Sequence, residues 1–115
     1  DLGMIILKTI PELYNGTSPN KFFDYIAGGL PVLNNYPGWL ADMIEQHQCG
    51  LVAKPDDPTD FADKVELLCQ SKKMRSQMSL SARQLAEREF SRDRLGEKFI
   101  RTLETVMKKN AVATA

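Results

Sequence analysis

An α/β fold built on a parallel sheet is what this chain's pattern predicts, and three observations carry the prediction. Short apolar runs, "MIIL", "LPVLN" and "GLVA", have the length of buried strands rather than of helices. Each run is followed by a longer stretch whose apolar residues recur at helical spacing. Alternating strands and helices lay the strands side by side in parallel order. From Lys72 onward no strand pattern recurs, so the C-terminal end is helical.

Met4 to Leu7 is the first strand, entered with no cap or polar leader, which reads as the middle of a longer chain with further strands upstream. "PELYNGTS" is a turn-rich loop. Pro19 to Ala27 is a short helix, with Ser18 as its N-cap and Pro19 preorganised at its first position. Gly28-Gly29 closes it, because glycine enters the left-handed conformation that ends helices. Leu30 to Asn34 is the second strand, and "YPG" turns into a helix over Trp39 to His47. Leu51 to Ala53 is the third strand. Asp57-Pro58 opens a helix with Phe61, Val65 and Leu68 on its apolar face. The next helix spans Lys72 to Glu89, with Met74, Met78, Leu85 and Ala86 inward. Ser91 caps the last, whose Leu95, Phe99, Leu103 and Val106 form a stripe. Residues 1–109 make the domain, and 110–115, "NAVATA", read as a frayed, disordered tail.

At 115 residues the chain can bury one modest core. Fifteen basic residues offset fifteen acidic ones, which gives no electrostatic case for nucleic acid or a membrane surface as partner. No apolar run approaches the roughly 20 residues of a spanning helix. Cys49 and Cys69 are isolated and lack metal-ligand spacing; they read as reduced, partly buried thiols of a cytosolic protein. His47 reads as a helix-end residue, and Trp39 as core or a domain contact near a strand end. Glu12, Asp42 and Glu45 have no spacing that marks a carboxylate pair. The basic residues of "SKKMRSQM" alternate with methionines, as on a solvated helix face. A Cys/His metal cluster, a glycine-rich phosphate loop and a nucleophile elbow are all missing from the sequence.

Ligands of open α/β sheets sit outside the carboxyl ends of the strands. The loops Lys8 to Ser18 and Asn34 to Gly38 qualify. The first leads into the Pro19–Ala27 helix, which carries Lys21 in its first turn, where the helix dipole disfavours a cation. Two explanations stay open. A phosphate or diphosphate at the helix end would collect the amides of Asn20 and Lys21, the dipole and the ammonium together. Alternatively, Lys21 forms a solvated pair with Asp24, worth a few tenths of a kcal/mol. Asp24 is then either a plain surface carboxylate or an acceptor for vicinal hydroxyls such as those of a ribose.

"SPNKFFDYIAGGLPVLNN" resembles the C-terminal domain of GT-B glycosyltransferases of family 4, retaining enzymes that use nucleotide-sugar donors. The resemblance continues through "CGLVAKPDDPTDFADKVELL" and "MSLSARQLAEREFSRDRLGEKFI", and covers nearly all of residues 1–109. The Ser-Pro-Asn-Lys version is similar to the branch serving bacterial O-antigen and capsule synthesis. It implies a partial Rossmann-like parallel sheet with flanking helices, the C-terminal half of a GT-B fold. It further implies a nucleoside-diphosphate sugar as ligand, with Asp24 at the ribose-binding carboxylate and Thr17, Ser18, Asn20 and Lys21 around the diphosphate and sugar. The family's second glutamate falls at Gly16. An acceptor-binding N-terminal domain and the diphosphate-clamping basic loop would lie upstream, so no catalytic residue is expected here, and no metal or cofactor. The resemblance implies a cytoplasmic protein, peripheral at the inner membrane face, whose final helix packs partly on that other domain and favours self-association without it. A non-catalytic nucleotide- or protein-binding α/β module and a nucleotide-sugar epimerase are the alternatives.

Overall fold

The computed structural model describes residues 1–114. The elements run β1 (Gly3–Ile5), α1 (Pro11–Tyr14), α2 (Asn20–Ala27), β2 (Val32–Asn34), α3 (Trp39–Gln46), β3 (Gly50–Val52), α4 (Pro58–Gln70), α5 (Lys72–Glu89) and α6 (Arg92–Thr114). The strands form one three-stranded sheet in the order β1-β2-β3, parallel throughout, with Val32 opposite both Gly3 and Gly50. The chain is a mixed α/β fold.

The central strand explains its own sequence. Successive side chains of a strand point to opposite faces. Val32 packs with Phe22, Ile26, Leu40 and Ile44 of α2 and α3, while Leu33 packs with Ala53 and Leu68 on the α4 side. Burial on both faces is why the run is apolar without alternation. Helix α5 serves both layers. Its Ala82, Leu85 and Ala86 are buried with α2, and its Met74 and Met78 cover the Leu33 cluster.

Helix ends follow local chemistry. Asp57 caps α4 by accepting from the Asp60 amide at 2.9 Å, with Pro58 in the first turn, and Ser71 caps α5 through the Met74 amide at 3.2 Å. Gly29, at φ +67°, ends α2 in a Schellman motif: Leu30 N–H donates to Tyr25 O at 2.9 Å and Gly29 N–H to Ile26 O at 3.1 Å. The Ser79 hydroxyl and the Arg83 guanidinium of α5 donate to the carbonyls of Gly29 and Ala27, fastening that end to the core.

Four expectations are corrected. The first strand covers Gly3–Ile5 rather than Met4 to Leu7, because the backbone of Leu7 bonds to a side chain instead of a strand. "PELYNGTS" contains the helical turn α1, held by tertiary packing of Tyr14. Pro19, not Ser18, stands at the N-cap of α2, and no side chain caps it. The segment 110–114 continues α6 rather than fraying; Ala115 lies outside the described residues. None of α6 is buried, and its roughly 34 Å of helix dominates a molecule measuring 63 × 31 × 19 Å. Among the described residues, no helix is long and apolar enough to cross a membrane.

Candidate functional site

The loops that follow β1 and β2 are locked together at the carboxyl edge of the sheet. The side-chain amide of Asn35 bonds to both backbone groups of Leu7, at 2.8 and 3.0 Å. Tyr14 stacks on Tyr36 with ring centroids 5.6 Å apart. The Trp39 indole N–H donates to the Thr17 carbonyl at 3.0 Å. Gly38, at φ +121°, lets the start of α3 press against this loop; a Cβ there would stand 2.9 Å from the Tyr14 carbonyl oxygen. These ties hold residues 14–17 against α3 and so fix where α2 begins.

On that support the five residues singled out by the sequence fall on one short stretch. Thr17 is half-buried, and its hydroxyl donates to the Leu13 carbonyl. Ser18, Asn20, Lys21 and Asp24 are exposed. The Phe22 amide bonds back to Pro19 O at 3.1 Å, while the Asn20 and Lys21 amides find no acceptor. Lys21 and Asp24 do not pair. The ion pairs among the described residues are Lys64–Asp60, Arg83–Glu87 and Arg101–Glu97. The first turn of α2 therefore presents two open amides and an unpaired ammonium to solvent, a chemistry that suits an anion. Gly16 is exposed, and a Cβ there would meet nothing nearer than the Glu12 carbonyl at 4.0 Å, so space does not dictate glycine.

A second feature at the same edge was not read from the sequence. A cavity of about 320 Å³ is lined by Ile6, Asn35, Lys54, Asp56, Asp57 and Phe61, beside all three strand ends and against α4. None of the five predicted residues lines it. The carboxyl-end rule applied to the third strand would have pointed to "KPDD". Asp56 adopts φ +54° and accepts from the Thr9 hydroxyl. The Lys64 ammonium and then the Lys54 amide hold the neighbouring Asp60 carboxyl below its usual pKa.

Behind the loops, Asn34 accepts from the Tyr36 amide at 2.6 Å, and burial pushes the Tyr36 phenol upward. The Tyr14 and Tyr36 hydroxyls and Asn34 Nδ2 are buried without a protein partner. His47 is exposed just beyond α3. The cysteines are free but not alike, which corrects the reading of two partly buried thiols. Cys49 is fully buried, with desolvation raising its pKa to about 11, and Cys69 is exposed. Among the described residues, no group of three or more His, Cys, Asp or Glu side chains is placed to hold a metal ion.

Comparison with known proteins finds no matching family model, curated relative or solved structure.

Proposed function

We propose that this chain is the donor-binding part of a glycosyltransferase of GT-B type, with its three parallel strands belonging to a Rossmann-like sheet. The ligand is a nucleoside-diphosphate sugar. The diphosphate lies at the start of α2, on the Asn20 and Lys21 amides and the Lys21 ammonium, beside Thr17 and Ser18. Asp24, one turn on, accepts from the ribose hydroxyls. The observation that carries the reading is the open first turn of α2, where two amides lack acceptors and Lys21 lacks a carboxylate partner. The order of the family-like segments along the sequence supports it.

The chemistry asked of these residues is placement and electrostatics. Donors aimed at the leaving diphosphate stabilise charge that grows as the sugar departs. The parent activity would transfer a sugar, with retention, to a polysaccharide or lipid-linked acceptor at the cytoplasmic membrane face. Acceptor recognition and the remaining catalytic groups would come from a partner domain. No metal or cofactor has a role in this reading.

Gly16 favours a second reading, nucleotide binding without transfer, because no carboxylate stands where the family's sugar contact falls. A chain that joins this domain to an acceptor domain, and binds the donor yet moves no sugar, would establish it.

Titration of the whole chain with UDP, GDP and inorganic phosphate, followed by backbone amide shifts, tests the proposal. Shifts confined to Thr17–Asp24 with a nucleoside diphosphate, lost in Lys21→Ala, are expected. Undisturbed amides at millimolar UDP and GDP would overturn it.

A further inference from the structure

The outer edge of β3 is open, and its backbone groups define what it can pair with. Two bonds set the phase of the β2–β3 ladder: Val32 N–H donates to Cys49 O at 3.0 Å, and Ala53 N–H donates to Asn34 O at 2.7 Å. Residues that bond to one neighbour alternate along a strand with residues that face the other way. Gly50 and Val52 therefore turn their N–H and C=O groups away from β2, and among the described residues nothing bonds to them. Gly50 is buried and Val52 half-buried. An unpaired backbone group in such a place carries the cost of a lost hydrogen bond. The next outward group, the Lys54 N–H, is closed by the Asp60 carboxylate at 2.8 Å. The sheet itself does not supply the missing partner. Strand order follows the sequence and, among the described residues, no strand follows β3, so a strand preceding β1 adds beside β1.

Beside this edge lies an open cleft of about 660 Å³, lined by Gln48, Gly50 and Leu51 and, from α5, by Met74, Met78 and Ser81. Leu51, Met74 and Met78 all pack on the cluster around Leu33, which gives the cleft an apolar floor with adaptable methionine side chains.

We propose that this cleft takes an extended peptide segment of another protein, which adds to the sheet as a strand beside β3. A polypeptide backbone offers donors and acceptors in the alternation that Gly50 and Val52 present. Side chains of the added strand point alternately to the two faces of the sheet. The one beside Leu51 on the α4 face lands on Met74 and Met78, so the partner carries a large aliphatic residue there. Pairing ends at Lys54, whose N–H Asp60 already holds.

The test uses the whole chain and the blocked pentapeptide acetyl-Thr-Thr-Leu-Thr-Thr-amide, followed by backbone amide signals. With millimolar peptide the Gly50 and Val52 amides shift and exchange more slowly, while those of Asn20 and Lys21 stay in place. The same peptide methylated at its nitrogens keeps every side chain and binds about tenfold more weakly or worse. A central Asp in place of Leu has a similar effect. Val52→Pro removes one outward N–H and leaves the bonds to β2 in place. It weakens the peptide about fivefold or more, with the amide signals of Leu33 and Leu68 unmoved. Undisturbed Gly50 and Val52 amides at millimolar peptide, or equal binding of the methylated peptide, overturns the proposal. Shifts of those two amides with protein concentration alone, without peptide, make a second copy the occupant and overturn it as well.

Discussion

Asn35 behaves toward Leu7 as a neighbouring strand would: its Oδ1 accepts from the Leu7 N–H at 2.8 Å and its Nδ2–H donates to the Leu7 carbonyl at 3.0 Å. The backbone pairing of β1 with β2 stops at Ile5 opposite Asn34, and the side chain takes over one step later. Two loops that would otherwise splay at the sheet edge are joined there. The placement of residues 14–17, and through them of α2, depends on this pair together with the Tyr14–Tyr36 stack.

Asn35→Ala leaves both backbone groups of Leu7 without their partner in a half-buried position. The expected loss is about 1–3 kcal/mol. In urea unfolding it appears as a lower midpoint at unchanged slope.

Gly50→Ala and Gly16→Ala should behave oppositely. A Cβ on Gly50 would lie 1.8 Å from the Val32 carbonyl oxygen, which belongs to the central strand and cannot turn aside. The expected cost is about 3 kcal/mol or more, or failure to fold, whereas Gly16→Ala stays within about 0.5 kcal/mol. Thermal unfolding of the two variants decides it.

Alkaline stability should reflect Cys49. Its thiol keeps its proton in the folded protein up to about pH 11, against an ordinary value of 9.0. In that window the folded state holds more protons than the unfolded state, so stability falls as pH rises. The slope is at most about 1.4 kcal/mol per pH unit between the two values. Below pH 8 the group contributes no slope. Cys49→Ala, whatever its cost at neutral pH, should flatten the profile between pH 9 and 11. The same burial makes Cys69 react first with a thiol reagent, with Cys49 reacting only as the protein unfolds.

Lys21 and Asp24 should separate by ligand. Lys21→Ala weakens UDP and inorganic phosphate alike, by about tenfold, since both depend on charge at the helix start. Asp24→Asn weakens UDP by about tenfold and leaves phosphate unchanged, because only the nucleoside carries vicinal hydroxyls. Calorimetric titration with the two ligands gives the comparison. Both side chains are exposed and unpaired, so neither substitution should lower the unfolding midpoint.

The sequence was most legible where a signal is local. Asp57-Pro58 opens α4 and Ser91 accepts from the Arg94 amide at the start of α6, as their residue types require. The apolar runs announced three strands, but only the central one is buried on both faces; β1 exposes Met4, and Leu51 and Val52 of β3 are half-buried, because both are edge strands of the three-stranded sheet. Pairings over distance were not legible. Asn35 reaches Leu7 across 28 residues and Trp39 reaches Thr17 across 22, and no local pattern marks either. Tyr14 holds α1 helical by stacking on Tyr36, which overrides a stretch that reads as turns. Ser18 was misjudged because a preferred cap residue sat one position ahead of the residue whose dihedrals do the capping. For the site, the sequence placed five residues on one helix end. It could not show that Lys21 leaves Asp24 alone, which is a matter of side-chain conformation.

The two ends of α2 are fastened unequally. Its last carbonyls are taken by the Schellman amides and by Arg83, with Ser79 holding the Gly29 carbonyl just beyond, while the Asn20 and Lys21 amides have no acceptor within the protein. A short helix anchored at one end loosens from the other, so amide exchange along α2 should quicken from Ala27 back toward Asn20. Whatever settles on the first turn would restrain the fastest-moving part of the helix. Its arrival would then be recorded as slowed exchange at Asn20 and Lys21, even if no atom changes its mean position.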